Sequence, residues 1–196
     1  MDAGWWQSGG ATFALIAFAE IGDKSQLACM MLAAQYGRAR PVLIGATVAF
    51  GLLNTAAVLF GAALALWLPK PWVLGAMAIL FAVFGLRALL YSEDEDDGEG
   101  DLETSKGHSL LLATFLMILV AEMGDKTQIA VAGMAGVYPA TAVWAGATIA
   151  LILTSAAGVI AGKTVLRRLP VIWMHRIAGA LFLALAGIAV WRLLQL

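Results

Sequence analysis

Long apolar runs, separated by short polar or proline-bearing turns, fill most of the chain, and none alternates strictly with a period of two. A helix crossing the hydrocarbon core of a bilayer needs about 20 mostly apolar residues. Six stretches meet that requirement: roughly 9–35, 41–68, 71–91, 108–136, 139–162 and 171–194. The second carries no charge between Pro41 and Pro69. Pro69 and Pro71 bracket the turn that follows it, and Tyr138-Pro139 divides the uncharged run from Thr127 to Gly162, because proline interrupts a helix. Backbone groups in lipid need partners within the protein, and runs of this length satisfy them as helices rather than barrel strands. The pattern predicts an all-α polytopic membrane protein with six transmembrane helices.

Composition narrows the picture. The chain has 196 residues, 62% hydrophobic and 13% charged, against about 25% charged in a soluble domain. Mean hydropathy is +0.88. So short a chain cannot hide that much apolar surface from water. A soluble enzyme and a disordered chain are both excluded, and lipid becomes the solvent. The single Cys29 forms no internal disulfide, and the N-terminus lacks the basic region of a cleavable signal, so the first apolar segment is expected to be retained.

Charge is segregated rather than spread. Of the 13 acids, eight fall between Glu93 and Glu103. That block reads as a solvated linker, since like charges repel and keep a segment extended. With the N-terminus outside, Arg38, Arg40, Arg87, Lys106, Lys163, Arg167, Arg168 and Arg176 fall on the cytoplasmic side, and only Lys70 and Arg192 fall opposite. This bias fixes the orientation and puts both termini outside the cytoplasm. Trp5, Trp6, Trp67, Trp72 and Trp191 then form a belt at the outer interface. A net charge of −1 gives no footprint for nucleic acid.

The chain is also written twice. Ala19-Glu20-Ile21-Gly22-Asp23-Lys24-Ser25-Gln26-Leu27-Ala28 recurs as Ala121-Glu122-Met123-Gly124-Asp125-Lys126-Thr127-Gln128-Ile129-Ala130, identical at seven of ten positions. Gly45-Ala46-Thr47-Val48-Ala49 recurs as Gly146-Ala147-Thr148-Ile149-Ala150. Residues 1–91 and 108–196 are therefore expected as two three-helix repeats joined by the acidic linker 92–107. Three is odd, so the second repeat enters the membrane from the opposite side, as in secondary transporters.

The motif puts six ionisable residues, Glu20, Asp23, Lys24, Glu122, Asp125 and Lys126, inside apolar runs. Such residues are costly in a membrane and mark function. On an unbroken helix Glu20 and Asp23 share a face, Gln26 extends it, and Ser25 points elsewhere. Gly22 admits close helix approach or local unwinding. Thr47 and Asn54, like Thr148 and Ser155, are seven residues apart and give each middle helix a matched polar stripe. Carboxylates, carboxamides and hydroxyls are hard oxygen donors, suited to Ca²⁺, Mg²⁺ or Mn²⁺. No Cys/His cluster exists for Zn²⁺, and His108 and His175 read as interfacial.

The doubled Glu-x-Gly-Asp-Lys-Ser/Thr motif, with three helices per half and a charged central loop, resembles the Gdt family of cation/proton exchangers, which includes bacterial manganese exporters and eukaryotic Golgi Mn²⁺/Ca²⁺–proton exchangers. The resemblance covers nearly the whole chain. It implies a cation site of Glu20, Asp23, Glu122 and Asp125 where the first and fourth helices meet. Lys24, Lys126, Ser25, Thr127, Gln26, Gln128, Asn54 and Ser155 are expected to support it. The implied activity is exchange of Mn²⁺, or of Ca²⁺, for protons with no cofactor, in a bacterial inner membrane. Two other classes compete: an intramembrane aspartic protease built on Asp23 and Asp125, and a channel lined by acids.

Overall fold

The computed structural model describes residues 3–90, 110–166 and 171–195. Regular structure among them is entirely helical: α1 (Ala3–Glu20), α2 (Lys24–Tyr36), α3 (Ala39–Trp67), α4 (Lys70–Leu89), α5 (Leu110–Glu122), α6 (Lys126–Ala135), α7 (Ala140–Leu166) and α8 (Val171–Leu194). Three of these, α3, α4 and α7, are long and apolar enough to cross a membrane. The linker 92–107, Lys106, His108, Arg167 and Arg168 lie outside the described residues, as do the side chains of Lys24, Lys163 and His175.

The apolar pattern predicts one unbroken helix for each of 9–35 and 108–136, and the structure has two in each. The cause is local and occurs twice. Gly22 has φ 85° and Gly124 φ 83°, in the left-handed region where a Cβ is strained. Asp23 and Asp125 follow in extended conformation, with φ/ψ of −74°/164° and −71°/165°, and start the next helix. The Asp23 and Asp125 N–H groups donate back to the carbonyls of Glu20 and Glu122 at 3.1 and 3.2 Å. Two copies of one sequence thus make two copies of one break.

Packing follows the same duplication. The α1 and α2 helices pack on α7, α5 and α6 pack on α3, and α3 packs on α7. Trp5 meets Thr141, Gly9 meets Ala142 and Gln26 meets Thr154, so α1 and α2 run in the direction of α7. Gly45 meets Thr114 and Gly61 meets Ala132, so α5 and α6 run with α3. The α4 and α8 helices pair with opposite directions, through Phe81 on Phe182 at one level and Leu89 on Gly179 at another.

Phe50, Phe81, Leu15, Ile16, Met77, Ile118 and Met134 fill the core. Outside it, Leu59, Phe60, Leu66, Ile79, Val120 and Ile160 are exposed. A surface so apolar fits lipid and not water. Trp6, Trp67, Trp72 and Trp191 stand out from it.

The helix contacts are close enough to be tested. A Cβ on Gly45 would lie 3.1 Å from Thr114 Cβ and 3.2 Å from Phe115 N, and one on Gly146 would lie 3.1 Å from both Thr12 Cβ and Phe13 N. Gly51, on the same helix as Gly45, faces open space. Gly45→Ala and Gly146→Ala should each destabilise the protein by about 1–3 kcal/mol through overpacking. Gly51→Ala should be neutral or stabilise by up to ~1 kcal/mol. Thermal unfolding of the purified variants in one detergent checks the contrast.

Candidate cation site

The two breaks face each other, and the site is what they bring together. Glu20 ends α1 and Glu122 ends α5, and both are buried, at 1% and 4% exposure. Because the chain leaves the helix at Gly22, Asp23 is not one turn along a common face. It turns back toward the glutamates instead. Carboxylate oxygens of Glu20, Asp23 and Glu122 all lie within 4.8 Å of one another.

Hydroxyls cross between the halves. The Thr127 hydroxyl donates to Glu20 Oε1, and the Ser25 hydroxyl serves Glu122. Each comes from the first turn of the helix after a break and reaches the other half's glutamate. Ser25 was expected to point elsewhere on an unbroken helix; the break resets the helical phase and aims it inward, and it is buried. The pairs 20–127, 23–126 and 25–122 run in opposite senses along the two motifs. The two broken segments therefore cross in opposite directions.

One cation is already present. Lys126 Nζ lies 3.1 Å from Asp23 Oδ1. With all four groups ionised, Glu20, Asp23, Glu122 and Lys126 carry two net negative charges. Glu20 Oε2 is buried with no hydrogen-bond partner among the described residues. A buried carboxylate oxygen left in that state costs several kcal/mol. A proton or a metal ion removes the cost.

The other residues singled out from the sequence fall into three groups. Asp125, half-buried, stands outside the three-carboxylate cluster. Gln26 does not extend a ligand stripe: its Oε1 accepts from the Gly22 N–H at 2.6 Å and its Nε2 donates to the Thr154 carbonyl at 2.6 Å. Gln128 closes its own break in the same way, accepting from the Gly124 N–H at 3.1 Å. Asn54 Nδ2 donates to Thr148 Oγ1 at 3.0 Å, joining α3 to α7, and Ser155 is buried beside the Cys29 thiol. Sequence reading missed the Gln26–Thr154 and Cys29–Ser155 partners. The Gly-x-x-x-Gln spacing in both motifs was the one signal that a glutamine would close each break.

An apolar helical bundle whose buried oxygen donors converge from two broken helices defines a membrane carrier of hard cations. The family described as "Divalent cation/proton antiporter GDT1" matches residues 9–96 and 110–195, and the chain belongs to it. Among curated proteins it is 28% identical over 173 residues to a Vibrio cholerae protein described as a "putative manganese exporter", covering 87% of this chain and 84% of that one. It is 29% identical over 194 residues to a GDT1-like protein of Synechocystis, covering 90% and 93%. It is 24% identical over 196 residues to GDT1-like protein 3 of Arabidopsis thaliana, covering 88% and 67%. No solved structure matches. The family transports ions and is not an enzyme, which sets aside the aspartic-protease reading. The geometry agrees, since Asp23 is paired with Lys126 and Asp125 lies outside the cluster.

Gln26 gives this local structure a direct check. Gln26→Leu keeps the volume but removes the acceptor of the Gly22 N–H and the tie to α7. We expect destabilisation of about 1–3 kcal/mol, read as a lowered unfolding midpoint of the solubilised protein. Gln128→Leu, whose glutamine makes the longer bond at a half-buried position, should cost less.

Proposed function

We propose that the chain exports a divalent cation, Mn²⁺ in the first place, from the cytoplasm in exchange for protons. Glu20, Asp23 and Glu122 are the ligands, and Asp125 is the fourth acid of the path. The observation that carries this reading is the convergence of three carboxylates within 4.8 Å beside an unpartnered Glu20 oxygen. Oxygen donors take Ca²⁺ as readily as Mn²⁺ in kind. The description of the Vibrio cholerae relative favours manganese.

The cycle follows from charge. Metal binding needs ionised carboxylates, so loading expels protons and protonation expels metal. Two net negative charges are neutralised by one divalent cation or by two protons. A carrier neutral in both loaded forms avoids moving net charge through a low-dielectric core, and avoids about 2.3 kcal/mol per charge for each 100 mV of potential. The exchange is therefore two protons per cation and electrically silent.

Alternating access comes from rocking of residues 1–91 against residues 108–196, as two inverted three-helix repeats totalling six spans. Three features support this architecture: the matched breaks, the exchanged helix pairings and the opposed directions of the two motifs. Residues 92–107 join the repeats as a solvated cytoplasmic linker. In this reading the protein lies in a bacterial inner membrane with both termini outside the cytoplasm. A channel would draw its acidic ring from several identical subunits; one inverted pair of repeats within a chain fits a carrier better.

Proteoliposomes with an imposed pH gradient test the assignment. Mn²⁺ should move uphill when only the gradient drives it, and parallel assays with Ca²⁺ rank the two ions. Indifference to both would sink the transporter reading. Glu20→Gln and Glu122→Gln should each abolish exchange, by at least about a hundredfold for loss of a charged ligand at a closed site, while the variants still insert and keep their helicity. Normal exchange by either variant would remove that glutamate from the site. On a solid-supported membrane, wild-type exchange should give binding transients but no sustained current; a current scaling with cation flux would overturn the two-proton stoichiometry.

A further inference from the structure

The positive charges of the sequence leave two exceptions, and the fold puts both into one cavity. Lys70 opens α4 and Arg192 lies in the last turn of α8. They line a cavity of about 430 Å³ together with Gln195 and the apolar Val73, Leu74 and Val137. That volume is within the ordinary range of small-ligand pockets. The Arg192 guanidinium stacks over the Tyr138 ring at 4.9 Å, which fixes its direction.

Among the described residues these cations lack an anion. No Asp or Glu occurs between Lys24 and Ser92 or after Asp125, and every segment that lines the cavity comes from those two stretches. Among the described residues neither cation has a carboxylate at ion-pair distance. Two like charges facing one concavity, with no counter-charge among the described residues, suit an anion from outside the chain. Depth in the membrane says which. Trp67, Trp72 and Trp191, all exposed, lie within a few residues of the lining, and such tryptophans mark the headgroup level. Exposed Leu66 and Leu194 carry the rim into the lipid-facing surface.

We propose that this cavity binds the phosphate of an anionic phospholipid headgroup, seated between Lys70 and Arg192 with the acyl chains against the flanking apolar surface. Arg supplies a planar fork for phosphate oxygens, Lys a point charge and Gln195 an amide donor. Basic pockets between membrane helices bind headgroups in this manner. The site is independent of the carboxylate cluster and of the transport reading.

Native mass spectrometry of the full-length detergent-solubilised protein, titrated with phosphatidylglycerol or phosphatidylcholine, tests it. Wild type should retain phosphatidylglycerol in preference to phosphatidylcholine. The double variant Lys70→Gln/Arg192→Gln should weaken phosphatidylglycerol retention by about tenfold or more. Both positions are exposed, so unfolding midpoint and helicity should match wild type. Lys70→Arg/Arg192→Lys should restore most of the retention. Equal retention of the two lipids, or undiminished phosphatidylglycerol on the double variant, would overturn the proposal. So would displacement of the lipid by millimolar inorganic phosphate, which would make a free anion the occupant.

Discussion

Three carboxylates, two of them buried and the third partly so, share one small space, and most of the architecture can be read as a response. Like charges a few ångströms apart in a low-dielectric interior repel strongly, and the buried Glu20 and Glu122 also lose their hydration. The chain answers with one lysine, two hydroxyls donated across the centre, and a residue of two negative charges left for something mobile. A structural ion pair would have been balanced within the fold. Among the described residues this cluster, with all four groups ionised, is not balanced, and the imbalance has the size of one divalent ion.

The helix breaks make such a cluster possible. On a continuous helix the side chains of Glu20, Asp23 and Ser25 point around the axis, and they cannot all meet a partner helix at one level. Stopping the helix at Glu20, turning at Gly22 and restarting at Lys24 folds those side chains into the same region. The freed backbone groups still need partners in an apolar surround. Gln26 and Gln128 supply them from four residues downstream of each glycine. The support expected of these glutamines takes the form of closing each break.

Much of this was legible beforehand, for physical reasons that also mark where legibility stopped. Helical character followed from run length, and the doubled motif named four acids, Glu20, Asp23, Glu122 and Asp125, of which the structure gathers the first three. The breaks were not visible to a periodicity reading, because Gly22 and Gly124 fit an apolar helical pattern until their positive φ is known. The direction of Ser25 turned on whether the helix unwinds at Gly22, since a helix that restarts has a new phase. The meeting of Lys70 with Arg192 was out of reach for another reason. It depends on how α4 and α8 pair at one end of the bundle, and no local pattern encodes that.

The remaining disagreement concerns symmetry. The sequence assigns Asp23 and Asp125 the same role, yet Asp23 joins the cluster and pairs with Lys126 while Asp125 stands outside. The surroundings are unequal in the same sense. Gln26 is buried and tied to α7, whereas Gln128 is half-buried; Met123 and Gly124 are exposed, whereas Ile21 and Gly22 are half-buried. A carrier built from two copies of one motif needs such inequality, because a site equally open on both faces would leak. In the exchange reading, one half closes on the ion while the other stays loose, and the opposite state follows when the halves trade places. In that reading a doubled motif specifies two related asymmetric conformations, of which this structure is one. Asp125, in that reading, is the acid that joins the site in the opposite state.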